Sequence, residues 1–309
     1  MKKNSMLSLI AAAPAFVLLT VARFVQIAGG TDMETGFLLK DNGFLINFSF
    51  YGLMLVTLIA VTLLGILTDK KKNSSYYTND ISVMVDGRAV MLGFPLLLAG
   101  AMTAYEGYMQ TQALTPSGFI VFIDFVFGAI MLILGFIVLY KKEISKLLAF
   151  SLVVPALYYT LRGIGVFLDR MAVASIPEYL IECFTIIGAA IFFMQLAKLL
   201  TGNETKHTRT LLCTVGLTTA TATLANAVAV ILADVIDPYS VSERITSTAN
   251  AAEIAMQRIL PTGKFGYHMA YTSWVDVIIS VLMVLTLVAM FMKSKPATEK
   301  TASANEESE

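Results

Sequence analysis

The sequence has 309 residues, of which 57% are hydrophobic and only 14% are charged. Its mean hydropathy is +0.74, whereas a soluble domain is roughly half apolar and about a quarter charged, so this composition excludes a soluble enzyme, a nucleic-acid-binding protein and a disordered chain. The 22 Lys and Arg residues balance the 22 Asp and Glu residues, so the net charge indicates neither a basic nor an acidic macromolecular partner.

The apolar residues come in runs of about twenty, which is the length of an α-helix that crosses a lipid bilayer. Their continuous hydrophobicity, without alternation of apolar and polar positions, favours helices over the strands of a barrel. Eight transmembrane helices are predicted, in chain order, at Met6–Ala28, Phe44–Leu67, Ala89–Met109, Gly118–Tyr140, Leu147–Leu168, Tyr179–Leu200, Thr210–Ile236 and Thr272–Met292. The predicted fold class is therefore an all-α, polytopic integral membrane protein.

The distribution of lysine and arginine predicts the orientation, because these residues are enriched in the cytoplasmic loops of membrane proteins. With the N-terminus in the cytoplasm, fifteen of the 22 cationic residues lie on the cytoplasmic side and five on the outer side. We therefore predict a plasma-membrane protein with both termini in the cytoplasm. The first apolar run follows Lys2 and Lys3 as a cleaved signal peptide would, but its length and the late Arg23 favour a retained helix.

The second half of the sequence repeats features of the first half in the same order, which indicates an internal duplication. For example, Asp124 lies 17 residues before Lys141, and Asp276 lies 17 residues before Lys293. The predicted organisation is a first four-helix unit (residues 1–143), a second four-helix unit (144–293) and a disordered cytoplasmic tail (294–309). Because four is an even number of helices, the two units are expected to be parallel repeats that insert in the same direction.

Each predicted unit contains one arginine, two carboxylates and one amide within its helices, all in the outer half of the membrane. The candidate solute-binding residues are Arg23, Asn47, Glu106, Asp124, Arg162, Glu182, Asn226 and Asp276. Charged side chains are costly at this depth and often mark functional sites. A guanidinium suits a carboxylate or phosphate, and carboxylates suit an amine or a coupling proton. The set therefore predicts an outward-facing vestibule for a small polar solute.

Two structural interpretations of the same residues remain open. In the first, Arg23 and Arg162 extend to the outer lipid headgroups, while Glu182 and Asp276 are hydrated because they lie near helix ends. In the second, each arginine pairs with a carboxylate of its own unit and forms only a structural ion pair.

Small residues and one connection suggest further features. Gly93, Gly100 and Gly107 share one face of the third predicted helix, and its counterpart, the seventh, also has a face of small residues. Such faces allow close helix contact in lipid, so we expect these two helices at the centre of the bundle. An amphipathic pattern at about residues 240–260 predicts a helix on the outer surface, or a lid over the vestibule.

Several kinds of site are missing from the sequence. It contains no zinc-binding His-Glu-x-x-His motif, no Gly-x-Ser-x-Gly nucleophile elbow and no phosphate-binding loop motif. Its two cysteines and two histidines give neither a disulfide framework nor a metal site. No catalytic residue, metal, cofactor or nucleic-acid partner is therefore predicted, and the expected surroundings are the lipid bilayer.

Three functional hypotheses follow. The leading one is a transporter or solute-binding permease for a small polar solute, with the two units rocking around the vestibule. The alternative is a non-transporting membrane scaffold or sensor subunit of a larger complex. The third is an intramembrane enzyme that uses the outer carboxylates as acid and base, although no nucleophile or metal set accompanies them. The sequence indicates neither a particular protein partner nor an oligomeric state.

Overall fold

The computed structural model describes residues 7–30, 43–70, 87–111, 118–141, 146–170, 177–203, 205, 207–236 and 274–291. Within these ranges the regular elements are all α-helices and there is no strand. The helices are α1 (Leu7–Gly30), α2 (Gly43–Lys70), α3 (Gly87–Thr111), α4 (Gly118–Lys141), α5 (Lys146–Ser151), α6 (Val153–Arg170), α7 (Pro177–Thr201), α8 (Thr208–Ile236) and α9 (Trp274–Phe291).

The predicted class is confirmed in its coarse form, because the chain is an all-helical bundle consistent with a multi-pass membrane protein. Among the described residues, seven segments are long and apolar enough to cross a bilayer. They correspond to α1, α2, α3, α4, the α5–α6 segment, α7 and α8. The eighth predicted span corresponds to α9, whose apolar segment, Trp274–Ala289, is shorter. Many large apolar side chains point outwards from the bundle, Val21, Leu55 and Phe122 among them.

The predicted fifth span consists of two consecutive helices, α5 and α6, and not of one continuous helix. A turn at Leu152 separates α5 from α6, and the Leu152 amide bonds to the carbonyl of Ala149 at 3.2 Å. Pro155 lies in the first turn of α6, where a residue without an N–H is tolerated but cannot continue the hydrogen-bond ladder of the preceding helix. Pro14 and Pro95, in contrast, lie inside the continuous helices α1 and α3.

A short turn joins α7 to α8 and makes them antiparallel neighbours. Gly202 follows the last helical residue with a φ of 78°, a left-handed conformation that glycine adopts without a steric penalty. The amide of Asn203 then bonds to the carbonyl of Lys198 at 3.0 Å, and the amide of Gly202 to that of Leu199 at 3.2 Å. These two bonds satisfy carbonyl groups that the end of α7 would otherwise leave free.

Helices α3 and α4 approach each other closely along a row of glycines. The three α3 glycines predicted to share a face do face a neighbouring helix, and that helix is α4. A Cβ atom added to Gly100 would clash with the backbone nitrogen of Leu132, and one added to Gly107 would lie 2.9 Å from the Cβ of Asp124. On α4, a Cβ atom at Gly135 would lie 2.5 Å from the backbone nitrogen of Leu97. The glycines therefore fix the distance between the helices that carry Glu106 and Asp124.

Helix α8 is the most enclosed of the seven membrane-length segments, with 67% of its apolar window buried compared with 28% for α2. It packs against α1, α2, α7 and α9, whereas α3 packs mainly against α4 and α9. Of the two helices expected at the centre of the bundle, α8 lies there. The small-residue face of α3 packs against α4 instead.

The helix packing repeats only in part between the two predicted units. The α1–α2 contact corresponds to α6–α7, and α3–α4 corresponds to α8–α9. However, α2 packs against α8, and α7 makes no comparable contact with α3 among the described residues. The duplication therefore stays a prediction from the sequence. The predicted amphipathic helix at about 240–260 and the predicted tail (294–309) lie outside the described residues.

Candidate functional site

All eight residues predicted to bind solute are buried inside the bundle. Their exposed fractions range from 1% for Arg23 to 6% for Glu182. Each lies within about ten residues of the helix end that leads into one of the connections 31–42, 112–117, 171–176 and 237–273. Because successive membrane helices alternate in direction, these ends lie at the same side of the bundle. The polar residues therefore share one half of the protein and face its interior, not its lipid-exposed surface.

Five of the eight residues form one group, called here the acidic cluster. It contains Glu106 of α3, Asp124 of α4, Arg162 of α6, Glu182 of α7 and Asp276 of α9, together with Tyr158 and Tyr159 of α6. Arg162 is the cation in all three ion pairs described for this cluster. Nη2 of this arginine lies 3.5 Å from Oε1 of Glu182 and 3.9 Å from Oε2 of Glu106, and Nη1 lies 3.4 Å from Oδ1 of Asp276. One guanidinium thus connects carboxylates from three other helices.

Two tyrosines complete the hydrogen bonds of this cluster. The Tyr158 hydroxyl accepts a hydrogen bond from Nη1 of Arg162 at 3.3 Å and donates one to Oδ1 of Asp124 at 3.2 Å. The Tyr159 hydroxyl donates to Oδ1 of Asp276, also at 3.2 Å. Tyr158 therefore links Arg162 to the fourth carboxylate, which the ion pairs described above do not include.

Aromatic rings cover the inner side of the tyrosine pair. The ring of Tyr158 lies 5.1 Å from that of Tyr159 and 5.8 Å from that of Phe127, centroid to centroid. The ring of Tyr159 is stacked on Phe193 at 6.4 Å. Both tyrosines are fully buried. The charged groups are therefore next to a dense aromatic core, in which the local dielectric is low and electrostatic interactions are strong.

The other three predicted residues form a second group, called here the amide cluster, together with Gln26. It consists of Arg23 and Gln26 of α1, Asn47 of α2 and Asn226 of α8. Nε of Arg23 donates to Oδ1 of Asn226 at 2.9 Å, and Nη1 donates to Oε1 of Gln26. Nε2 of Gln26 then donates to Oδ1 of Asn47 at 2.9 Å. This chain of hydrogen bonds joins three helices, and Phe50 lies against the Arg23 guanidinium at 5.6 Å.

The structure thus brings the eight predicted residues together in two groups. Each group combines residues from both halves of the chain, since Arg162 pairs with Glu106 of the first half and Arg23 bonds to Asn226 of the second. Arg162 also pairs with Glu182 and Asp276 of its own half. Both arginines point into the bundle, so neither extends along the lipid-facing surface.

The sequence analysis missed three members of these groups: Gln26, Tyr158 and Tyr159. All three had a detectable signal in their spacing. Gln26 follows Arg23 by three residues, which places it on the face of that arginine. Tyr158 and Tyr159 precede Arg162 by four and three residues, and both spacings make them neighbours of Arg162 on the helix surface.

The acidic cluster is unusual in its composition, with four carboxylates and one guanidinium in its defined set of residues. The side chains of Arg162 and its carboxylate partners are only 5–6% exposed. Burial of a charge is unfavourable unless opposite charges and hydrogen bonds compensate it. Such a set can bind a cationic or hydrogen-donating group, because additional positive charge or additional donors would stabilise the ionised carboxylates.

Neither cysteine is part of the two clusters. Cys183 is half-buried and Cys213 is buried, and the two do not form a disulfide with each other. Among the described residues, no group of three or more His, Cys, Asp and Glu side chains is arranged to hold a metal ion. Three of the four carboxylates of the acidic cluster are instead arranged around Arg162.

Comparisons with known proteins found no match: no family model, no curated protein and no solved structure is similar to this chain.

Proposed function

We propose that this chain is a plasma-membrane transporter or solute-binding permease, and that the acidic cluster binds a small polar solute that enters from the outer side. The observation that carries the proposal is the meeting of four carboxylates, one arginine and two tyrosines from five helices of both chain halves. Ionisable residues inside a membrane bundle typically mark substrate or ion pathways.

The acidic cluster contains more carboxylates than a structural ion pair with Arg162 would require. One carboxylate neutralises one guanidinium, and each additional buried carboxylate makes the charge balance less favourable. Glu106, Glu182 and Asp276 all lie within 3.9 Å of Arg162. The additional acidic groups are therefore better explained as ligands for a solute than as partners of Arg162.

The distribution of the cluster over the helices suggests how the site opens. Glu106 and Asp124 come from the closely packed α3–α4 pair, whereas Arg162 and Glu182 come from α6 and α7. A relative movement of these two parts would separate the carboxylates from the arginine and admit solute, in the manner of rocking transporters. The predicted orientation, with cytoplasmic termini, places the entrance on the outer side.

The proposal is tested by a thermal-shift screen of the purified full-length protein against amino acids, sugars, nucleosides, amines and organic acids. A solute that binds the folded state raises its melting temperature. We expect at least one solute class to do so, and we expect Glu182→Gln to reduce the shift. Lys141→Gln is the matched control, because Lys141 is an exposed charge at the end of α4. A protein that responds to no solute in the screen would contradict the proposal.

A second candidate function is that of a scaffold or sensor subunit in a larger membrane complex. The observation that favours it is the extent of the internal bonding: both terminal nitrogens of Arg162 already have protein partners, and the whole cluster is buried. Gentle solubilisation followed by affinity purification distinguishes the two. A partner protein in fixed stoichiometry, together with a negative solute screen, would favour the subunit function.

A further inference from the structure

Ser280 of α9 is a buried polar group whose hydrogen bonding is incomplete. Its side chain is fully buried, and its hydroxyl has no hydrogen-bond partner among the described residues. Serine in a helix usually bonds to a carbonyl of the preceding turn, and most buried hydroxyls in folded proteins have a partner. The Ser280 hydroxyl therefore has hydrogen-bonding capacity that a ligand could use.

The position of Ser280 connects it to the acidic cluster. Ser280 follows Asp276 by four residues, so the two side chains are neighbours on the same face of α9, separated by about 6 Å along the helix axis. Asp276 already bonds to Arg162 and Tyr159 on the other side. Ser280 therefore extends the cluster by one helical turn towards the middle of the bundle.

The bonding of Arg162 determines which charge a ligand can carry. Nη1 of this arginine is directed at Asp276 and at the Tyr158 hydroxyl, and Nη2 at Glu182 and Glu106. An anionic ligand would have to displace one of these carboxylates to bind to either terminal nitrogen. A cationic ligand meets carboxylate oxygens directly, and the rings of Tyr158 and Tyr159 add aromatic surface that attracts cations.

We infer that the solute is a small ammonium compound, whose charged nitrogen binds between the carboxylate of Asp276 and the hydroxyl of Ser280. The inference rests on the proposed function and specifies its substrate class. A primary ammonium has three N–H donors, and the Ser280 oxygen and the Asp276 carboxylate are both acceptors. Binding therefore satisfies the unpartnered hydroxyl and adds positive charge to a set of residues rich in carboxylates.

The test uses ethanolamine hydrochloride as the probe and ethylene glycol as its uncharged analogue, with the purified full-length protein at constant ionic strength. Sodium acetate serves as the anionic probe. We expect ethanolamine to raise the melting temperature in a saturable way, and the glycol and acetate to have no effect. An equal response to ethylene glycol, or a response to acetate alone, would overturn the inference.

Variants of α9 then test the role of Ser280. We expect Ser280→Ala to raise the half-saturating ethanolamine concentration about tenfold, since a hydrogen bond to a charged group is lost. The variant should fold normally, because it removes a hydroxyl for which the described part of the chain provides no partner. Thr286→Val is the matched control. The Thr286 hydroxyl is also buried and also lacks a partner within the described helices, but it lies six residues further along α9 and on another face. A Ser280→Ala variant that responds to ethanolamine as the unmodified protein does would overturn the assignment of Ser280.

Failure of this inference and failure of the proposed function give different results. If sugars, organic acids or nucleosides raise the melting temperature and amines do not, the solute-binding function stands and the ammonium inference is wrong. If no solute of any class has an effect, the solute-binding function itself fails, and the inference fails with it.

Discussion

Tyr158 and Tyr159 are adjacent in the chain, yet their hydroxyl groups bond to carboxylates from opposite halves of the protein. Tyr158 donates to Asp124 of α4, and Tyr159 donates to Asp276 of α9, both at 3.2 Å. Neighbouring residues on a helix point in directions about 100° apart, so one short segment of α6 can contact two different helices. The tyrosine pair is thus a structural link between the two ends of the acidic cluster.

This link predicts that both tyrosine hydroxyls stabilise the fold. Tyr158→Phe and Tyr159→Phe each remove one hydrogen bond from a buried carboxylate, and each should lower the free energy of unfolding by about 1.5–3 kcal/mol. The measurement is thermal or denaturant unfolding in detergent micelles. Tyr140→Phe is the control, because Tyr140 is 80% exposed and stacks on Phe136. Unfolding curves that coincide for the control and both core variants would contradict the prediction.

Arg162 should be essential for stability as well as for binding. Arg162→Gln leaves the carboxylates of Glu106, Glu182 and Asp276 without their shared cation, so we expect a loss of about 3–5 kcal/mol. Adding Asp276→Asn to this variant removes one of the buried negative charges that have lost their shared cation, and it should restore part of the loss. The melting temperatures of the single and double variants measure this coupling. A double variant less stable than Arg162→Gln would show that carboxylate repulsion is not the cause.

The side chain of Asn226 accepts a hydrogen bond from Arg23, so the protein should tolerate a charged acceptor at position 226 better than an apolar side chain. Asn226→Leu removes the oxygen that Nε of Arg23 contacts at 2.9 Å, and we expect destabilisation of about 1–3 kcal/mol. Asn226→Asp keeps an acceptor at nearly the same place and should be closer to the unmodified protein. The control is Asn203→Leu in the exposed α7–α8 turn. Equal melting temperatures of Asn226→Leu and Asn203→Leu would contradict this account of α1–α8 packing.

The close approach of α3 and α4 predicts strong sensitivity to added side-chain volume. In Gly100→Ala the new Cβ atom would clash with the backbone of Leu132 and lie 2.8 Å from the carbonyl oxygen of Gly128. Since backbone atoms cannot move aside easily, we expect a loss of at least about 1–3 kcal/mol and less folded protein in size-exclusion chromatography. Gly52→Ala is the control, because its Cβ atom would have no neighbour within 4 Å in the described part of the chain. The reverse order of stability would refute the proposed α3–α4 interface.

The predicted orientation can be tested through two connections that should lie on opposite sides of the membrane. Green fluorescent protein inserted after Thr205, in the α7–α8 turn, should be fluorescent because that turn is predicted to be cytoplasmic. Alkaline phosphatase fused within residues 112–117 should be active, because that connection is predicted to be outside. The exchanged reporters are the controls and should both be inactive. The opposite pattern would invert the orientation and place the acidic cluster on the cytoplasmic side.

The sequence by itself determined that this is a helical membrane-type bundle and which polar residues interrupt its apolar spans. Long apolar runs can satisfy their backbone groups in lipid only as helices, so the spans could be found without tertiary information. Arg23, Arg162 and the other six candidates stood out for a similar reason, because a charge or an amide among twenty apolar residues is costly. Pro155 can interrupt a helix locally, but only the structure shows that the fifth span divides at Leu152.

Only the tertiary structure decided which of these residues meet. Arg162 lies 3.4 Å from Asp276, a residue 114 positions away, and the sequence offers no pattern that pairs them. The contact depends on how the helices pack around α6 and α9, and packing is set by side-chain shape over the entire bundle. For the same reason the sequence could not separate the amide cluster from the acidic cluster, nor show that Tyr158 and Tyr159 bond to carboxylates on two different helices.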